Sequence, residues 1–233
     1  MSDTRRDYRL LVAEHAVQLL EQIVRAKRLP APLDWHRAGE LVREARGLVK
    51  RLRFSFIPPT MLARSEDALR LRDAARGIAR VLLDKRWLDE MRSNPRARRP
   101  LAEAKYAIRV LYGLPARLAL GDENDPLYAV DIECVTVSSV EKHPQAKNLY
   151  VTHARGRLGY TIVTNLQDVR RGDLRAAAIL PPAEFIGVIS EAMYCSRSLR
   201  GVEDCEPGKR PPAMLVEKGE VARVVGEIAS RIH

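Results

Sequence analysis

The chain of 233 residues has little of several features that mark particular classes of protein. Its three cysteines, Cys134, Cys195 and Cys205, are too few and too scattered for a disulfide framework or a zinc site. Cys195 and Cys205 could approach each other, but we expect both to be reduced. No apolar run is long enough to cross a bilayer, so we expect no membrane partner. The first residues lack the apolar core of a signal peptide, which makes a cytoplasmic location our expectation.

The sequence also lacks motifs that carry catalysis. It contains no nucleophile elbow, phosphate-binding loop, dinucleotide fingerprint or metal-ligand spacing. His143, Ser190, Glu191 and Cys195 include a nucleophile and a base, but no pattern joins them. We therefore expect a protein that is not an enzyme and that needs no cofactor and no metal.

Positive charge is abundant and unevenly placed. The net charge is +10, and residues 1–120 hold 26 Lys and Arg against 14 Asp and Glu, whereas residues 121–233 hold 14 against 16. Arginine accounts for 32 of the 40 basic residues, and its planar fork suits phosphate groups. Genome composition produces the same bias, so charge alone does not identify a nucleic-acid partner.

The first half of the chain has the apolar spacing of helices. Apolar residues recur at intervals of three and four over 10–24, 38–52 and 68–82, and a shorter helix is predicted over 101–112. Short connectors between them, including a loop at 94–100 that contains Arg96, Arg98 and Arg99, favour an all-α helical bundle over 1–120.

The pattern changes after the polar segment 121–126. Short apolar runs at 128–140, 149–154, 160–164, 175–180 and 192–196, separated by turn-forming residues, predict strands of a small barrel or sandwich. We place this domain at 126–202 and a C-terminal tail at 203–233, with a closing helix over 217–232. The fold class expected is α+β.

Three pieces of the second half occur in a distinctive order. H-P-x-A-x-x-L-Y-V begins at His143, T-I-V-x-x-L begins at Thr161, and P-A-x-x-x-G-V-x-S-E-A-M ends at Met193. Over about 127–200 the chain thus resembles the tRNA-binding domain family, which includes bacterial tRNA-binding protein, methionyl-tRNA synthetase C-termini and endothelial monocyte-activating polypeptide. The resemblance implies a five-stranded β-barrel with the oligonucleotide-binding (OB) fold that recognises the shape of tRNA.

The resemblance also implies site residues. Ser190, Glu191 and Met193 match the family's S-[EQ]-[GA]-M segment, which is associated with tRNA contact, and Gly187 matches the glycine before it. The chain has Glu184 and Ile186 where many relatives have cations, and Asn165 where a glycine is common. From the residues themselves, Phe185 is a stacking candidate, and two sources of phosphate contacts stay open: barrel arginines that include Arg155, Arg157 and Arg197, or the basic helical half with Arg96, Arg98 and Arg99. We favour the helical half.

These observations predict a non-catalytic protein that binds tRNA or another structured RNA through shape and phosphate contacts. The alternative is a protein–protein module that scaffolds an aminoacyl-tRNA synthetase or forms a homodimer.

Overall fold

The computed structural model describes residues 3–202 and 204–232. The chain divides into two compact units, the first comprising the residues up to 130 together with those from 225 onward, and the second comprising 131–224. Helices are followed by a five-stranded antiparallel sheet and a C-terminal helix, α7 (Lys218–Ser230), which confirms the α+β class. Among the described residues, no helix combines the length and apolar character needed to span a membrane.

The first unit is a helical bundle. Its helices are α1 (Tyr8–Arg25), α2 (Trp35–Arg53), α3 (Pro59–Leu62), α4 (Glu66–Leu82), α5 (Lys85–Ser93) and α6 (Pro95–Leu118). Helix α1 packs on α2 and α6, and α4 packs on the same two helices. The apolar stripes predicted from the sequence are buried at these contacts. Asp7, Asp34 and Ser65 cap α1, α2 and α4 by accepting hydrogen bonds from backbone N–H groups.

The predicted loop at 94–100 and the helix stop at 112 are both wrong. Helix α6 begins at Pro95, and proline is favoured at the first position of a helix because a backbone N–H there would have no partner within the helix. Asn94 caps the helix by accepting a hydrogen bond from the N–H of Arg96. It continues through Pro100 and Pro115 to Leu118. Both prolines remove a helical hydrogen bond, but the buried stripe that runs from Ala97 to Leu118 outweighs that loss. Helix α5 was likewise missed by the sequence analysis.

The second unit contains strands β1 (Asp131–Lys142), β2 (Tyr150–Arg155), β3 (Gly159–Thr164), β4 (Leu174–Phe185) and β5 (Val188–Tyr194). The strand order is β3-β2-β1-β4-β5, and every neighbouring pair is antiparallel. The two outer strands, β3 and β5, share no backbone ladder, so the sheet is not closed. This corrects the expected closed barrel. The physical reason is that side chains of β5, and not its backbone, accept the hydrogen bonds of the β3 N–H groups that face it.

Strands β4 and β5 extend further than predicted and form a hairpin. Residues 181–191, expected as a loop, lie mostly within these strands, and Ile186 and Gly187 form the two-residue turn between them. Both turn residues have positive φ, 46° for Ile186 and 83° for Gly187, as a type I′ turn requires. Pro181 and Pro182 lie in an irregular stretch of β4 where the register with β5 shifts, which explains why prolines are tolerated there.

The cysteines also differ from expectation. Cys134 and Cys205 form a disulfide, whereas Cys195 is a free and buried thiol. The segment after Cys205 lies beside β1, because the N–H of Cys134 donates to Lys209 O at 2.8 Å and the N–H of Gly208 donates to Cys134 O at 2.8 Å. The expectation that Cys205 is reduced is therefore wrong. The disulfide joins residues 71 positions apart in the chain, and such a distant contact leaves no local pattern in the sequence.

Candidate nucleic-acid interface

The first and third motif pieces meet at His143. The N–H of Gln145 donates to His143 Nδ1 at 3.2 Å, so the other ring nitrogen carries the proton. That nitrogen, Nε2, donates to the carbonyl oxygen of Phe185 at 2.9 Å. The buried imidazole thus joins the loop between β1 and β2 to the end of β4, next to the hairpin turn.

The second and third pieces meet along the open edge between β3 and β5, here called the seam. The hydroxyl of Ser190 accepts from the N–H of Val163 at 3.0 Å and donates to Ala192 O at 3.0 Å. The carboxylate of Glu191 accepts from the N–H of Thr161 at 3.1 Å. Ser190 is only 5% exposed. Two β3 amides therefore find side-chain acceptors on β5, which gives Ser190 and Glu191 an architectural role.

A cavity of about 460 Å³ is lined mainly by residues of β2, β3 and the turn between them, and it brings Arg155, Arg157 and Glu191 together. Arg155 is exposed and forms no hydrogen bond or ion pair through its side chain within the described part of the chain. Arg157 Nε donates to Gly208 O at 2.7 Å and lies 3.9 Å from the carboxylate oxygen Oε2 of Glu133, but the side chain remains 71% exposed. His153, which also lines the cavity, places Nδ1 3.4 Å from Thr161 Oγ1. The cavity has more positive than negative groups, as a phosphate site needs.

A second and larger cleft of about 1150 Å³ is lined by Phe185, Ser190, Met193 and Arg197. Arg175 also lines this cleft; it is buried and pairs with Asp168 at 2.8 Å and with Asp173 at 3.3 Å. The Arg175 guanidinium lowers the pKa of the Asp168 carboxyl through their hydrogen bond. Its charge is therefore already balanced, and this arginine serves the fold.

Phe185 and Gly187 belong to the tip of the hairpin. Phe185 is 38% exposed, and its neighbour Ile186 is 55% exposed. A Cβ built on Gly187 would meet no heavy atom within 4 Å, so the glycine serves the positive φ of the turn and not close packing. The turn therefore presents an aromatic ring and an open backbone to its surroundings.

The three arginines of the first unit that were predicted to contact RNA, Arg96, Arg98 and Arg99, lie in the first turns of α6. Arg99 pairs with Glu103 at 3.0 Å, and Glu103 also accepts from Arg28 at 2.6 Å. Arg96 and Arg98 are exposed, and their side chains form no ion pair with any residue in 3–202 or 204–232. Two of the three charges predicted here thus remain available to a partner.

Two lysines were missed by the sequence analysis. Lys142 ends β1 and Lys147 lies in the loop that follows, and both are exposed without an ion pair in the described structure. They flank the His143-Pro144 corner, and that position next to the first motif piece is the signal that would have found them. In the described part of the chain, no group of three or more His, Cys, Asp or Glu residues is placed to hold a metal ion.

The match to a known family covers residues of the first unit. A family model described as an alpha helical domain matches residues 1–121. No model of the tRNA-binding domain matches the chain, and no curated protein matches it. Since the matched segment covers more than half of the sequence and coincides with helices α1 to α6, the chain belongs to the family defined by this alpha helical domain.

Proposed function

We propose that the second unit is a non-catalytic binding domain for structured RNA, with tRNA as the candidate ligand. One observation carries the proposal: the three motif pieces are joined by side-chain hydrogen bonds. His143 bonds to Phe185, Ser190 to Val163, and Glu191 to Thr161. Residues that are far apart in the sequence thus contribute to one construction, which supports the resemblance to the tRNA-binding domain.

The arrangement of the exposed groups supports the same proposal. OB-fold domains bind oligonucleotides on the face of strands 2 and 3 and on the loops that join strands 1 to 2 and 4 to 5. Here the β2–β3 side carries Arg155 and Arg157, the first of these loops is flanked by Lys142 and contains Lys147, and the second lies next to Phe185. We call these five residues the RNA face.

The RNA face has the chemistry for contact with RNA without reading its sequence. Four cations can neutralise phosphates, and an exposed phenyl ring can stack on an unpaired base, which contributes about 1–3 kcal/mol. Four phosphate contacts give a slope of log K against log salt of about −2.8 to −3.6. Affinity then falls about 50- to 150-fold between 50 and 200 mM salt.

The test is fluorescence anisotropy of labelled bulk tRNA with the full chain over that salt range. Arg155→Gln is expected to weaken binding and to reduce the slope by about 1, because it removes one phosphate contact. Arg171→Gln is the matched control, since Arg171 is exposed in the same unit and lines neither cavity. Circular dichroism confirms that both variants are folded.

A double variant in the first unit distinguishes between the two possible phosphate-binding surfaces, the RNA face and the helical unit. The double variant Arg96→Glu and Arg98→Glu places carboxylates in the first turns of α6, where the helix dipole favours them, so the helix should remain intact. If this variant loses the salt dependence and Arg155→Gln does not, the helical unit holds the phosphates and the RNA face is wrong. No complex at 50 mM salt would overturn RNA binding altogether and leave the protein-scaffold alternative.

A further inference from the structure

A groove between α1 and α2 in the first unit plays no part in the function proposed above. Its volume is about 690 Å³. The residues that give it chemical character are Gln18, Gln22 and Arg25 from α1, and Trp35, Gly39 and Arg43 from α2. The groove lies entirely within the segment matched by the alpha helical domain.

The groove carries uncompensated positive charge. Arg46 lines it but is paired with Glu21 at 3.1 Å, so these two charges cancel. Arg25 is exposed at the end of α1, and its side chain makes no ion pair or hydrogen bond within the described residues. Arg43 uses only Nε, which donates to Gly39 O at 3.2 Å, and its terminal nitrogens stay available. An anionic group of the ligand is therefore favoured.

The groove also offers a planar apolar surface with unused polar groups beside it. Trp35 is half-buried, and its indole N–H has no hydrogen-bond acceptor among the described residues. Gln18 and Gln22 lie one turn apart on α1, and their amides are likewise unengaged within that part of the chain. An indole stacks on flat rings, and a carboxamide can both donate to and accept from the edge of a base.

Gly39 leaves the groove open although neither backbone conformation nor packing requires a glycine. A Cβ at this position would meet only Val24 Cγ1, at the ordinary contact distance of 3.8 Å. At Gly77, by contrast, a Cβ would lie 3.1 Å from two methyl carbons of Leu41. Glycine within a helix costs about 0.5–1 kcal/mol relative to alanine. The absent side chain at Gly39 thus keeps space that a ligand can occupy.

From these observations we propose that the groove binds a nucleoside phosphate. The base stacks on Trp35, the Gln18 and Gln22 amides bond to its edge, and Arg25 and Arg43 hold the phosphate. Two sources supply this chemistry, a free mononucleotide or an unpaired nucleotide of an RNA. The proposal does not depend on the RNA face, because the groove and that face share no residue.

The chain provides its own reporter for this site. It has two tryptophans, so Trp87→Phe leaves Trp35 as the sole indole. We expect AMP to quench the fluorescence of this full-length variant saturably, adenosine to bind about tenfold or more weakly, and inorganic phosphate alone to leave the signal unchanged. Adding Arg25→Gln and Arg43→Gln should raise the AMP Kd about tenfold or more and leave the Kd of adenosine unchanged.

Gly39 supplies the matched pair of variants. Gly39→Ala should retain AMP binding, and Gly39→Met should abolish it by filling the groove while helicity is preserved. A short oligo(A) that binds more tightly than AMP identifies an RNA nucleotide as the ligand, and equal affinities identify the free nucleotide. The proposal is overturned if AMP fails to quench the folded protein, if phosphate alone gives the same response, or if Gly39→Met still binds AMP.

Discussion

Ser190→Ala tests whether the seam between β3 and β5 depends on a side chain. The hydroxyl is buried and makes two hydrogen bonds, one from the N–H of Val163 and one to Ala192 O. Alanine removes both and leaves the Val163 N–H without its acceptor in a site where Val163 is also buried. An unpaired buried donor costs about 1–3 kcal/mol, so we expect the free energy of unfolding to fall by about 2 kcal/mol.

Hydrogen exchange at the Val163 amide is the sharpest assay. A loss of about 2 kcal/mol raises its exchange rate about 30-fold when exchange follows the opening equilibrium. The urea midpoint measured by circular dichroism should fall by on the order of 1 M. Both tryptophans lie in helices of the first unit, so their fluorescence should follow the helical bundle and serve as an internal reference.

Ser138→Ala is the matched control for this prediction. Ser138 is exposed, and its hydroxyl donates to His153 O at 2.9 Å, so water can replace the lost bond and the cost should be about 0.5 kcal/mol or less. At a temperature where Ser190→Ala is folded, its affinity for tRNA should stay within about twofold of the parent. Unchanged exchange at Val163 together with lost tRNA binding would refute the reasoning and make Ser190 a contact residue.

Two further predictions concern the covalent bond and the hairpin turn of the second unit. Cys205→Ser opens a loop with a sequence separation of 71 and should lower the free energy of unfolding by about 2–4 kcal/mol, measured with urea. In the folded protein, burial raises the pKa of the Cys195 thiol to about 12. In denaturant without a reductant, this thiol alone should react, and three reactive thiols would contradict the disulfide between Cys134 and Cys205. Ile186→Asn creates the Asn-Gly pair that a type I′ turn prefers, and a β-branched residue is strained at φ 46°. The substitution should therefore raise the free energy of unfolding by about 1 kcal/mol, which raises the urea midpoint by roughly 0.5 M. A lower midpoint would show that the Ile186 side chain contributes more than its strain costs.

The division of the chain into helices and strands could be predicted because it depends on local periodicity. The apolar residues at spacings of three and four in α1, α2 and α4 are buried as expected. The extent of α6 could not be predicted, since Pro100 and Pro115 are local signals for a break and only tertiary burial overrides them. The Cys134–Cys205 disulfide could not be predicted for a related reason, because a contact between distant segments produces no periodic pattern in the sequence.

The candidate site was only partly readable from the sequence. The motif pieces identify residues that matter, but not whether they build the fold or face a ligand. In β5, Ser190, Ala192 and Tyr194 are buried while Glu191 and Met193 are half-buried, which is the alternation of a strand. Ser190 lies outside the strand predicted over 192–196, and the resemblance implies a tRNA contact there. In the structure this segment is a strand, and its alternation places the Ser190 hydroxyl in the seam.

The charge of the first half illustrates why a net value does not locate a binding surface. Arg51 is paired with Asp67 at 2.8 Å, and this hydrogen bond lowers the pKa of the Asp67 carboxyl. Arg70 pairs with Glu44 at 3.0 Å. Further ion pairs join Arg37 to Glu40, Arg46 to Glu21 and Arg53 to Glu14. A paired arginine binds a phosphate more weakly, because the phosphate must displace the carboxylate or lie close to it and be repelled. The second unit is nearly neutral, yet Arg155 stands there without an acidic partner in the described structure. Local pairing, and not the total excess, therefore decides which arginines remain available to an anionic partner.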